Sequence, residues 1–178
     1  MLLEGIGFEL DVRPANILEV QSPDEPATAM VERLARAKAW AIDENTTPVL
    51  AADTAVVLRT RGRERVFGKP QARAEAEEVL RLLSGERHVV LTGYCVRLGA
   101  EERIGCVETQ VWFRSLSDEQ ISAYLDTGES MDKAGAYGIQ GPGGALVDRI
   151  EGSYANVVGL PVSEVLWDLQ TILETQPG

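Results

Sequence analysis

The chain has 178 residues, 44% of them hydrophobic, enough for one sizeable core and too few to require a second domain. A formal net charge of −11 sets the surface as a whole against nucleic-acid backbones and anionic membranes. A polyphosphate ligand could be held only where Lys, Arg or a metal ion is concentrated locally, so each basic residue inside a motif carries weight. Two cysteines, Cys95 and Cys106, are too few for a disulfide framework and too far apart for a Cys-x-x-Cys site, and free thiols in a reducing compartment are expected. The first seven residues lack the basic and long apolar regions of a signal peptide, and no run approaches membrane-spanning length, which predicts a cytoplasmic protein.

Phe8 to Val12 alternates apolar and acidic residues and predicts a strand with one buried face. A loop carrying Glu19 follows. Ser22-Pro23-Asp24 signals a helix start, and the stretch to about Ala41 sets Val31, Leu34 and Ala35 on one face with Lys38 at its polar border. Pro48 to Ala52 is apolar and ends at Asp53, with β-compatible residues from Ala55 to Leu58, so Asp53 is expected at a strand end or bulge.

Arg59 to Arg65 reads as a charged hairpin tip turning at Gly62, and a solvated tip is the better account of its basic run than a phosphate patch. Ala74 to Leu83 is helical and stops at Ser84-Gly85. His88 to Arg97 and Ile104 to Phe113 alternate as two strands joined through residues 99–102. Ser117-x-x-Gln120 is a capping box opening a helix that ends near Gly128. Pro161 starts a last amphipathic helix with Val165, Leu166 and Leu169 facing inward. Helices alternating with strands, two of them hairpin-connected, predict an α/β fold with a mixed sheet.

Between these elements lies Asp132-Lys-Ala-Gly-Ala-Tyr-Gly-Ile-Gln-Gly141, too polar for a buried strand and too rich in glycine for a helix. Lys133, Gln140 and permissive backbone are materials for holding a phosphorylated, hydrogen-bonding ligand. Tyr137 could stack on a base or pack beneath the loop. Gly141-Pro-Gly-Gly144 is read as a turn rather than a phosphate cradle, because no strand-loop-helix context surrounds it. His88, the single histidine, suits a hydrogen bond at a strand edge better than catalysis.

An ionised carboxylate at Asp53 is costly beside an apolar run unless it binds a metal, pairs with a cation or activates water; capping the next turn is the structural alternative. Glu19 and Asp53 could hold one Mg²⁺ through oxygen ligands while phosphates complete its shell, with lysines offsetting phosphate charge. Hydrolysis of a phosphoanhydride needs an in-line water, a proton acceptor and cations facing the pyrophosphate leaving group.

The ordered motifs Arg33-Leu-Ala-Arg-Ala-Lys-Ala39, Ala52-Asp-Thr54, Gly68-Lys-Pro70, Leu83-Ser-Gly85, Thr92-Gly93, Asp132 to Gly141, Gly152-Ser-Tyr154 and Val158-Gly-Leu-Pro161 resemble the Maf family of nucleoside triphosphate pyrophosphatases. The resemblance implies a two-lobed Maf/ITPase-like α/β fold with a long mixed sheet flanked by helices and a cleft between lobes, forming a single domain over residues 1–178. It also implies a homodimer, a divalent metal (Mg²⁺ or Mn²⁺), and cleavage of a small-molecule nucleotide to monophosphate plus pyrophosphate, with neither nucleic acid nor membrane as partner. On the matching positions Asp53 is the proton acceptor, Lys38 and Lys69 face the phosphates, with Lys69 counted as catalytic, and Lys133 binds substrate. Glu19 joins Asp53 at the metal. Asp53-Thr54 and Ile139-Gln140 resemble the dTTP/UTP branch, which makes Thr54 and Gln140 specificity residues; a neutral Gln can both donate to and accept from a pyrimidine edge. Two other roles fit the resemblance: a nucleotide-binding regulator of division without turnover, and a pyrophosphatase for other modified nucleotides. Family members begin with a strand and a Ser-x-Ser-Pro-Arg-Arg loop, whereas Met1 to Glu4 resembles the helix that follows, so the chain reads as N-terminally truncated: either its start lies upstream of Met1, the favoured account, or the product is impaired.

Overall fold

The computed structural model describes residues 2–60 and 62–175; Met1, where the truncated start was read, and Arg61, at the centre of the basic hairpin run, lie outside the described residues. In chain order the regular elements are α1 (Ala27–Trp40), β1 (Val49–Thr60), β2 (Arg63–Phe67), α2 (Arg73–Leu83), β3 (Arg87–Leu98), β4 (Glu101–Phe113), α3 (Asp118–Leu125), β5 (Val147–Glu151), α4 (Tyr154–Val158) and α5 (Val162–Thr175). The class is α/β, with an antiparallel five-stranded sheet flanked by helices and ordered β2-β1-β3-β4-β5. Hairpins join β1 to β2 and β3 to β4, which is how a chain rich in helices holds antiparallel strands. The second hairpin is tighter than expected, because β4 already begins at Glu101.

The chain divides into two compact units, one comprising Met1–Asp53, Thr92–Val107 and Gly159–Gly178, the other Thr54–Leu91 and Glu108–Val158. In the first, α1 buries Met30, Val31, Leu34, Ala35 and Ala39, the positions its 3.6-residue period predicts. Residues Tyr94, Val96 and Leu98 of β3 pack with Val165 and Ile172 of α5. The helix approaches β3 so closely at Gly93 that a Cβ there would strike the backbone of Val31 and sit 2.6 Å from the Glu32 nitrogen. Glycine is required by that contact.

Two expectations in this unit fail. Phe8 to Val12 has no regular secondary structure, and its Phe8, Leu10 and Val12 are exposed. Alternation gives a segment two faces, but a strand also needs a neighbour for its N–H and C=O groups. Helix α1 begins at Ala27 rather than near Ser22, because Ser22 to Glu25 closes a turn in which the Ser22 N–H donates to the Glu25 carboxylate at 2.9 Å.

In the second unit Val56, Leu58, Val90, Val111 and Phe113 of the strands pack with Leu80 and Leu83 of α2 and with Ile121, Tyr124 and Leu125 of α3. The Ser117 capping box forms as read, with Ser117 Oγ accepting from Gln120 N and the Gln120 side chain accepting from Ser117 N. It places Tyr124 in the last turn of α3. Among the described residues no helix is long and apolar enough to cross a membrane.

Replacing Gly93 with alanine should destabilise the protein by about 3 kcal/mol, since backbone rather than a mobile side chain must yield. Urea denaturation of wild type and Gly93→Ala measures this, and an unchanged midpoint would refute the close approach.

Candidate functional site

Within the first unit, Glu19, Lys38 and Asp53 come together. The Lys38 Nζ, in the last turn of α1, lies 2.6 Å from Asp53 Oδ1 and 2.8 Å from Glu19 Oε1. The Asp53 side chain is 10% exposed, that of Lys38 18% and that of Glu19 45%. Burial works against the Lys38 charge, but hydrogen bonds and attraction from Asp53 and Glu19 outweigh it and leave the ammonium more basic than an ordinary lysine. Asp53 sits inside the continuous strand β1 rather than at its end or at a bulge, correcting the expected position. Its charge is answered fifteen residues upstream, by Lys38, so the strand need not break to solvate it.

Glu19 belongs to a segment without regular structure, and Arg33 ties that segment to α1. Its Nη2 donates to the Val20 carbonyl at 2.9 Å while the guanidinium grips the Glu25 carboxylate at 2.6 and 2.8 Å. The Glu25 carboxyl is held down to about 2, first by Arg33 and then by the Ser22 N–H. The negative field of Asp53 also reaches Arg33. Sequence reasoning gave Arg33 no site role; the cue available was its position five residues before Lys38 on the same helix.

The second unit holds the remaining candidates. Thr54 follows Asp53 along β1 and is half-buried. The Gly68-Lys69-Pro70 turn meets the glycine-rich decapeptide through a hydrogen bond from Gly135 N to Gly68 O, 3.1 Å. Lys133 Nζ reaches both carboxylate oxygens of Asp132 at 2.7 Å. The Asp132 carboxyl is accordingly held below the usual carboxylate range, first by that hydrogen bond and also by the charge of Lys69. Lys69, expected to face the phosphates, and Lys133, expected to bind substrate, thus bear on one carboxylate. Gln140 is exposed.

Although its ends are polar, the decapeptide is anchored by a buried centre, residues 135–138. Tyr137 packs beneath the loop, 5% exposed, settling the two roles left open for it. Its ring meets Phe113 and His88 edge-on, and its hydroxyl lies 2.9 Å from His88 Nε2. His88 is fully buried on β3, the central strand, so it occupies neither a strand edge nor an open site. Burial drives its pKa down to about 3 and keeps the imidazole neutral.

The basic hairpin carries surface ion pairs. Arg59 pairs with Glu64 and Glu108, and Arg65 with Glu78, each at 2.8 Å. Residues Pro142–Leu146 form a single 3₁₀ turn leading into β5, as a turn reading requires. Both cysteines are free thiols, and burial raises that of Cys95 to about 11. No cluster of three or more His, Cys, Asp or Glu side chains is arranged for a metal among the described residues. Glu19 and Asp53 nevertheless converge on one ammonium and offer only hard oxygen donors. That pair fits a Mg²⁺-type ion whose shell a substrate's phosphates would complete, and does not fit a self-sufficient protein cage.

Residues 1–172 match the family model described as Maf-like protein. A dTTP/UTP pyrophosphatase of Anaeromyxobacter dehalogenans strain 2CP-C is 52% identical over 167 residues, covering 92% of this chain and 83% of the relative. Proteins of the same name from Thermococcus onnurineus (48% identical; 92% and 86% covered) and Geobacter sulfurreducens (46%; 96% and 90%) are similarly related.

The buried imidazole makes stability depend on pH. Neutral His88 in the native state takes up no proton until about pH 3, whereas the unfolded chain takes one up near 6.5. Unfolding free energy should therefore be undiminished above pH 6.5 and fall by up to about 1.4 kcal/mol per unit as pH drops below it. Denaturation at pH 7, 6 and 5 should show a weaker fall in His88→Gln; equal slopes would contradict a neutral, buried imidazole.

Proposed function

Because the chain belongs to the Maf-like family, we propose that it is a nucleoside triphosphate pyrophosphatase acting on dTTP and UTP. The observation that carries this reading is the Lys38 ammonium gripped by Asp53 and Glu19, a charged cluster in which Lys38 and Asp53 are largely shielded from water while Glu19 is exposed. Relatives named dTTP/UTP pyrophosphatase support the substrate class.

In the proposed reaction a water oxygen bonds to the α-phosphorus, the bridge to the β-phosphorus breaks, and pyrophosphate leaves with the bond's electron pair. Asp53 accepts the water's proton. Lys38 at 2.6 Å holds that carboxylate in place. A divalent cation held by Glu19 and Asp53 would supply Lewis acidity and would offset phosphate charge. Lys69 and Lys133 offset the developing charge of the leaving group, Lys133 exchanging its hold on Asp132 for phosphate oxygens. Thr54 and Gln140 read the base. Gln140 can donate its NH₂ to the carbonyl at position 4 of thymine or uracil while its oxygen accepts from the ring N–H beside it.

Purified protein with Mg²⁺ or Mn²⁺ should release pyrophosphate from dTTP and UTP in preference to other nucleotides. Asp53→Asn should lower kcat/KM by roughly 10²- to 10⁴-fold while still binding nucleotide. Full turnover by Asp53→Asn would remove it as proton acceptor, and nucleotide binding without pyrophosphate release by wild type would sink the enzymatic reading.

A further inference from the structure

Gln140 lies on a loop with glycines at 138, 141, 143 and 144, backbone that would wander if left to itself. Both ends of that loop are fastened to one pair of side chains. At the entry, Gly138 N–H donates to Tyr124 Oη at 3.2 Å. At the exit, Gly143 N–H donates to Glu129 Oε2 at 3.1 Å. The two anchors are joined to each other, since the Tyr124 hydroxyl donates to the same Oε2 at 2.9 Å.

The glycines make room for these two side chains. A Cβ on Gly141 would lie 2.8 Å from Glu129 Cδ and collide with its Oε1. One on Gly143 would come within 2.9 Å of Tyr124 Oη and 2.7 Å of the Gly138 carbonyl. The carboxylate occupies the inside of the loop and excludes any larger residue there. Its partner is rigid: Tyr124 is 4% exposed in the core of the second unit, on a helix whose start the Ser117 capping box sets. Burial first, and then the Glu129 carboxylate, push the Tyr124 hydroxyl well above its ordinary range, so it stays a proton donor throughout the neutral range.

We infer that Tyr124 and Glu129 are positioning residues for base selection, pinning both ends of the Gly138–Gly143 loop and so fixing where Gln140 presents its amide to the nucleotide base. The inference rests on the proposed role of Gln140. Neither positioning residue needs to touch substrate. A flexible Gln140 would meet many bases poorly, whereas a fixed one meets the pyrimidine edge without an ordering cost at binding.

The test is kcat/KM for dTTP, UTP and GTP in wild type, Tyr124→Phe, Gln140→Ala and the double variant. Tyr124→Phe keeps the buried ring and loses only the hydroxyl. It should lower the dTTP-to-GTP preference about tenfold or more, as a misplacement near 1 Å can, through KM more than kcat. The double variant should lose no more preference than Gln140→Ala, because both changes act through the same amide. Gly141→Ala, which pushes on Glu129 from the loop side, should lower the preference as well, and it serves as the probe should Tyr124→Phe fold poorly. An equal loss on all three nucleotides, or none, in a folded Tyr124→Phe or Gly141→Ala protein whose Gln140→Ala counterpart does lose preference overturns the inference alone. An unchanged preference in Gln140→Ala removes the base-reading role and the inference with it. Absence of turnover on every nucleotide in wild type fails the pyrophosphatase reading itself.

Discussion

Helix α1 rests directly on the backbone of β3 at Gly93, and the charged cluster depends on that contact. A lysine side chain is long, but its Nζ can sit 2.6 Å from a carboxylate on β1 and 2.8 Å from one on an irregular segment only if the helix axis is fixed to within fractions of an ångström. The apolar side chains α1 buries fix its rotation, and Gly93 permits its depth. Arg33, on the same helix, then draws in the segment that bears Glu19. One helix thus organises an arrangement whose other members lie on unrelated stretches of chain.

That arrangement embodies a compromise. Partial burial strengthens every interaction of Asp53, but it would also favour the neutral acid unless a cation were at hand. Lys38, with its Nζ 2.6 Å from Asp53 Oδ1, is that cation. A chain carrying −11 can afford few such cations, and much of its arginine goes elsewhere. Arg59, Arg65, Arg73 and Arg81 all sit in exposed ion pairs with neighbouring carboxylates. Such pairs contribute between about 0 and 1 kcal/mol each and are screened by salt. The lysines beside the motifs stand apart because Lys38 is largely shielded from water and Lys69 and Lys133 act on a single carboxylate, Asp132.

What could be read from the sequence was what local chemistry decides. The Ser117 capping box, the stop of α2 at Ser84-Gly85, the hairpin at Gly62 and the apolar face of α1 all formed where their residues place them, since each is settled within a few positions along the chain. What could not be read involved a distant partner. Phe8 to Val12 has the alternation of a strand, and only the arrangement of other strands decides whether such a segment is paired. Asp53 was expected to leave its strand because its counter-charge, Lys38, cannot be seen from the residues around it. His88 and Tyr137, far apart in sequence, explain each other only once β3 and the decapeptide meet.

The glycines of the decapeptide and the turn after it show most sharply why composition underdetermines function. A run of glycines is equally consistent with backbone approaching a ligand, with mobility, and with room for a side chain of the protein itself. At Gly141 and Gly143 the third account holds, because Glu129 and Tyr124 fill the space that Cβ atoms would claim. Where a carboxylate and a phenol occupy the inside of a loop and bond to both its ends, the glycines serve rigidity. The loop's one exposed amide, Gln140, is then presented from a fixed frame, and on the role proposed for Gln140 selectivity for a base would rest on second-unit packing as much as on that amide.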